Sequence, residues 1–194
     1  MARRSSQNRK LKSLVVIFTE GISEKIYFEK LNQKYKRKIK VELVHDGKQG
    51  LNAIQEAQKL LNNPKVKKFQ NSKIKQVYII FDKDDLSLQN LKEAKKEADR
   101  LGYKIGFSNE AFELWILLHF KLISTKHDRS KLQREISNQI NGEYDKTDEQ
   151  FIWLLIDNYL NAALKNADKF SNELTFDKNP YTNIGWVIKE IYEL

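Results

Sequence analysis

Two runs of five apolar residues, Leu14-Val15-Val16-Ile17-Phe18 and Val77-Tyr78-Ile79-Ile80-Phe81, constrain the fold more than any other feature of the sequence. A short continuous apolar run reads as a strand buried on both faces, as in a parallel sheet. Ile39 to Val44 alternates apolar and polar residues and reads as a further strand, and Tyr103 to Phe107 as a fourth. Helical patterns fall between them. One runs from about Glu24 to Tyr35 behind Ser23 as a cap, and one from Leu51 to Leu61, stopped by Pro64. A charged helix starts at Ser87 and ends near Leu101, with Gly102 as its stop. This alternation predicts an α/β fold with a mostly parallel four-stranded sheet flanked by helices.

After Ser108 the pattern turns helical. Ala111–Phe120, Arg129–Ile140 and Phe151–Phe170, the last with room for a break, precede a loop at Asn179-Pro180 and a final helix from Thr182 to Tyr192. The expected organisation is a basic arm over 1–12, an α/β core over 13–108 and a helical lobe over 109–194, packed on the core.

Cysteine is absent, which excludes disulfides, cysteine–zinc sites and thiol nucleophiles. No apolar run approaches the roughly 20 residues of a membrane span. Leu14–Phe18 is too short for a signal-peptide core, so a cytoplasmic protein without a membrane partner is expected. Charge is unevenly spread: residues 1–100 hold 24 basic and 12 acidic side chains, whereas residues 101–194 hold 11 and 14. A basic half joined to a mildly acidic one is the footprint of a polyanion binder. The contact candidates are the arm, Lys34-Tyr35-Lys36-Arg37-Lys38, and Lys65-Val66-Lys67-Lys68, with Tyr35 and Phe69 interleaved for base stacking. Solvated surface lysines are the plainer reading of the same residues.

Glu20 follows the first strand directly, and Asp82 and Asp84 follow the third. In open α/β sheets ligands bind beyond the carboxyl ends of the strands, so parallel strands bring these carboxylates to one edge. Alternate residues of an extended segment point the same way, which lets Asp82 and Asp84 face one ligand. Clustered hard oxygens suit Mg²⁺ or Mn²⁺. A strand-end Asp also serves simply as a helix cap, and Asp85 ahead of Ser87 is placed for that. Glu110 and Glu113 share a helix face and are further site candidates. His119, six residues after Glu113 and so about 120° round a helix, is unsuited to the same metal and reads as a packed histidine or a functional one. His45-Asp46-Gly47-Lys48-Gln49-Gly50 follows the second strand and offers Lys48 to a phosphate, though without P-loop spacing. His127 reads as a surface residue.

Thr19-Glu20-Gly21 behind one apolar strand and Phe81-Asp82-Lys83-Asp84 behind a later one resemble the Toprim pattern, the metal-binding core of topoisomerases, primases and old-type nucleases. The agreement extends to the RloB family of bacterial proteins. It includes Glu24 and Tyr27-Phe28, then Asn109-Glu110-Ala111-Phe112-Glu113-Leu114-Trp115 leading into His119-Phe120. Tyr144-Asp145-Lys146 and Asn179-Pro180-Tyr181-Thr182-Asn183 complete the set. The resemblance spans the chain from Leu14 onward. It implies a Toprim-like domain in a prokaryotic defence or restriction setting, beside an ATPase partner, acting as a nuclease on DNA or RNA, tRNA included. Asp82 and Asp84 would hold Mg²⁺ or Mn²⁺, and Glu20 would join them or act as general acid/base. The expected catalytic set is Glu20, Asp82, Asp84, Glu113 and His119; Lys25, Lys48 and Lys83 are expected to contact substrate. Two other readings stay open: a non-catalytic subunit that senses nucleic acid or nucleotide with an ATPase partner, and an interaction protein with a structural acid cluster. Trp153, Tyr159 and Trp186 are expected in the core, or at the interface of a homo-oligomer.

Overall fold

A computed structural model of the chain describes residues 13–35 and 40–194. The arm expected over 1–12 and the end of the basic run, at 36–38, lie outside them. The elements are β1 (Ser13–Thr19), α1 (Ile22–Tyr35), β2 (Val41–His45), α2 (Gly50–Asn62), α3 (Lys67–Gln70), β3 (Lys73–Asp82), α4 (Leu88–Leu101) and β4 (Lys104–Asn109). There follow α5 (Glu113–Leu117), α6 (Arg129–Ile140), α7 (Glu149–Asn158), α8 (Leu160–Ala167), β5 (Tyr181–Thr182) and α9 (Ile184–Tyr192).

The sheet has five strands in the order β2-β1-β3-β4-β5. β1 to β4 are mutually parallel, and β5 joins β4 antiparallel through Ser108↔Thr182 and Asn109↔Tyr181. The fifth strand corrects the expectation of four. Two residues carry no periodicity, and the sequence reads Thr182 as the start of the last helix, with Tyr181 just before it. Asn183 prolongs the pairing: its Oδ1 accepts from Phe107 N–H at 2.7 Å and its Nδ2 donates to the Ile105 carbonyl at 2.9 Å.

From β1 the chain steps one way to β2 and then back past β1 to β3. This reversal places α1 on one face and α2 and α4 on the other, because parallel crossovers keep one hand. Leu14, Val16 and Phe18 of β1, with Val77, Ile79 and Phe81 of β3, pack against Ala53, Ile54 and Ala57 of α2 and Leu91, Ala94 and Ala98 of α4. The opposite face presents Val15, Ile17, Tyr78 and Ile80. α1 alone is too narrow to cover it, and Trp115, Leu132, Ile152, Ile188 and their neighbours from the C-terminal helices share that core. Trp186 is half-buried beside Lys104, whose Nζ lies 5.1 Å from its ring, but Trp153 and Tyr159 are exposed rather than in the core.

Local signals explain most boundaries. Ser87 accepts from Asn90 N–H at the start of α4, and Gly102 ends that helix at φ 70°, which costs a glycine little. The long C-terminal pattern breaks at Tyr159 into α7 and α8. Ser23 lies inside α1 rather than capping it, and its hydroxyl reaches the Lys146 carbonyl at 3.5 Å. The helix expected over Ala111–Phe120 shortens to Glu113–Leu117. Among the described residues no helix is long and apolar enough to cross a membrane.

Candidate active site

The strand order reverses between β1 and β3, and the carboxyl end of such a switch point is where α/β sheets form a crevice. Glu20 leaves β1 there, and Asp82 ends β3 beside it. A cleft of about 150 Å³ opens at this point; its polar walls include Glu20, Glu24, Asp82, Asp84 and Glu113, facing Arg129, Gln133 and Lys146. The sheet edge and α1 supply most of the acids, while α6 and the loop after it supply the cations.

Each carboxylate is held by the local fold. Glu20 Oε2 accepts from Asp82 N–H at 3.3 Å, and Asp82 Oδ2 accepts from Phe112 N–H at 3.0 Å. Glu113 Oε1 accepts from the Gln133 amide at 3.3 Å. Asp84 is paired with Arg129. Gly21 has a steric role: a Cβ there would run into the Glu24 carboxylate. The Glu-Gly pair therefore lets the chain turn into α1 while Glu24 folds back over the turn.

These acids are poorly solvated and repel one another. Burial, more than any charge, pushes the Glu20 carboxyl up to about 7, with Asp84 adding to the rise. Burial likewise raises Glu24, helped by Glu20 and Glu113. It raises Asp82 well above the usual carboxylate range, with Glu24 and Glu113 contributing.

The expected set is thus partly assembled. Glu20, Asp82, Asp84 and Glu113 come together; Asp84 does so from a turn, at φ 37°, and not from the extended segment that the alternation argument assumes. His119 does not reach the cleft. It is 1% exposed, with Nε2 2.9 Å from the Tyr27 hydroxyl and Nδ1 facing the Trp115 and Ile116 carbonyls, and burial lowers its pKa to about 4. It stands behind the site: Tyr27 packs edge-on to Phe112, whose N–H holds Asp82. Lys25, Lys48 and Lys83 do not line the cleft either. Lys25 pairs with Glu29, Lys48 lies on the outer side of α2 near Asn52 and Lys59, and Lys83 Nζ donates to the Asp84 carbonyl. Glu110 is bonded to Asn179 outside it. His127 is buried rather than surface, with Nε2 2.8 Å from Glu135 Oε1.

The sequence reading missed Glu24, Arg129, Gln133 and Lys146 as site residues. Glu24 lies in the first turn of the helix that follows Glu20-Gly21, and that closeness in sequence was the available signal. Arg129 follows Asp128, which caps α6 by accepting from Lys131 N–H. No local pattern says where that helix end is docked.

Among the described residues no three of Asp, Glu or His form a ready-made cage for one metal ion. The donors nevertheless fit a hard divalent cation in kind: oxygens only, mutually repelling, and short of hydrogen-bond donors. Mg²⁺ is commonly held by one or two carboxylates, the remaining positions going to water and phosphate. Two carboxylates of this wall would suffice.

The fold and site define a doubly wound α/β protein with an acidic cleft at its topological switch point. The model of the RloB-like protein family matches residues 15–191, and the chain belongs to that family. No curated protein and no solved structure gives a significant match.

Proposed function

We propose that this chain is a Toprim-like nuclease that cleaves phosphodiester bonds of nucleic acid with the help of Mg²⁺ or Mn²⁺, in a prokaryotic defence system with an ATPase partner. In this reading the C-terminal helices are a lobe that completes the active site. One observation carries it: four desolvated carboxylates, Glu20, Glu24, Asp82 and Glu113, share one small cleft with Arg129 and Lys146. Such an arrangement is costly for the fold without a cation, and costly polar clusters mark functional sites.

Asp82 and Asp84 would hold the cation, with Glu20 beside them. When bound it would supply Lewis-acid stabilisation of charge and a more acidic water. Arg129 and Lys146 neutralise an incoming phosphate from the opposite wall. Glu20, with its carboxyl near 7 and Oε2 anchored by Asp82 N–H, is matched to proton transfer at neutral pH. Glu113 and Gln133 brace each other at the boundary between the two walls.

The Arg129–Asp84 ion pair favours a second reading, in which the chain is a non-catalytic subunit that senses nucleic acid or nucleotide. An arginine already neutralising Asp84 competes with a metal there. The test is calorimetric titration of Mn²⁺ into the wild type and the Asp82→Asn, Asp84→Asn double variant, followed by cleavage assays on DNA and RNA. The nuclease reading expects Mn²⁺ binding that the folded variant loses, with cleavage lost alongside. Phosphate or nucleotide binding without turnover, unchanged in the variant, would move the assignment to the sensor.

A further inference from the structure

The parallel sheet also gathers part of the basic half of the chain at one edge. Segments that leave β1 to β4 do so at the cleft edge, and segments that enter them arrive at the opposite edge. Lys65, Lys67 and Lys68 sit in and before α3, on the approach to β3. Lys73 and Lys75 are the first and third residues of β3 itself. Lys40 leads into β2, and its carbonyl accepts from Val15 N–H at 3.0 Å, which sets it beside the start of β1.

These residues form one strip. β1 and β3 pair from Ser13↔Lys73, and the register slips at Leu14/Val15, so Lys75 is the extra residue of a bulge. Adjacent strands lie about 4.8 Å apart, which puts Lys40 and Lys75 across roughly 10 Å with one strand between them. All six lysines are exposed. Among the described residues only Lys68 has a carboxylate partner, Glu42 at 2.6 Å; Lys40, Lys65, Lys67, Lys73 and Lys75 form no ion pair. The neighbouring acids are already matched: Glu97 with Arg100, Asp99 with Lys95, and Glu190 with Lys104. Five of the six positive charges on this strip are therefore left without a carboxylate partner among the described residues.

We infer that this strand-entry edge is a docking surface for the phosphate backbone of nucleic acid, separate from the acidic cleft. Duplex DNA presents a charge about every 1.7 Å, so a strip of this width faces several phosphates. An anionic bilayer is the poorer match. The exposed large apolar side chains, such as Trp153, Leu154 and Tyr159, are on other segments, leaving nothing here to insert. Lys73 and Asp82 lie at opposite ends of β3, about 30 Å apart at the rise of a parallel strand. The phosphates held at this edge are not those that enter the cleft, and the contact is independent of sequence and of divalent metal. The inference does not depend on cleavage.

The test is fluorescence anisotropy of the full chain with a labelled mixed-sequence duplex and a labelled single strand, in chelator, from about 50 to about 200 mM salt. The Lys67→Gln, Lys73→Gln, Lys75→Gln variant should lose at least about tenfold in affinity, and its salt slope should fall by about 3. The corresponding Lys→Arg variant should retain both, and thermal melts should show both variants folded. A Lys131→Ala, Arg134→Ala variant on the exposed side of α6 is the comparator. Undiminished binding by the glutamine variant would overturn the inference. So would a larger loss in the α6 variant, or tighter binding to phosphatidylserine vesicles than to either nucleic acid.

Discussion

At the residue scale the site is a set of carboxylates kept where they do not solvate well. A carboxyl whose pKa is raised by folding binds its proton more tightly in the folded state. Its cost is absent at acid pH and appears as pH rises from the ordinary carboxylate range through the folded value. For Glu20 that window runs from 4.5 to about 7. Asp82→Asn removes one of the repelling charges and can keep the acceptor for Phe112 N–H. It should therefore stabilise the chain at pH 8 in chelator by about 1–3 kcal/mol. The gain should shrink toward pH 5, read as the urea midpoint at each pH. His119 has the opposite sign. Its folded pKa, about 4, lies below the unfolded 6.5, so folding stability is undisturbed at neutral pH and falls as pH drops through that interval. At pH 5 the loss is about 2 kcal/mol. His119→Asn should abolish that part of the pH slope whatever its own stability at pH 7; an unchanged slope would mean that His119 is not the group responsible.

At the element scale the two-residue strand β5 and the cap position of α9 decide how β4 ends. Asn183 occupies the N-cap position of α9, yet its side chain makes no cap bond. Its amide is used on the Phe107 N–H and the Ile105 carbonyl instead. Asn183→Ala would leave both buried groups unpartnered, and a loss of about 2–4 kcal/mol in urea denaturation is expected. The Asn179-to-Asn183 segment, which the sequence marks only through the family resemblance, is thereby given a structural role. Asn109 is similar: it is 6% exposed, and its amide donates to the Phe176 and Lys178 carbonyls rather than facing the cleft. Strand and helix existence was legible in the sequence because apolar runs, Ser87 and Gly102 are local signals. β5 and the shortened α5 were not, because both depend on what packs against them.

At the scale of the whole molecule the C-terminal helices form part of the sheet's own core. They cover the face that α1 leaves bare, and they bring Arg129, Gln133 and Lys146 to the acidic wall. A fragment ending at residue 109 would expose the Val15, Ile17, Tyr78 and Ile80 face. It should fail to give a cooperative thermal transition, whereas a cooperative melt would show the α/β part to be autonomous. The sequence by itself determined the α/β class, the parallel strands and the presence of Glu20, Asp82 and Asp84 at strand ends, because those follow from periodicity and from the rule that parallel strands share their carboxyl edge. Only the tertiary structure decided that His119 is buried behind the site, that Lys25, Lys48 and Lys83 stand away from it, and that Arg129 and Lys146 face the acids. Side chains more than 40 residues apart meet through the docking of whole helices, and no local pattern of residues encodes which helix end arrives at which strand end.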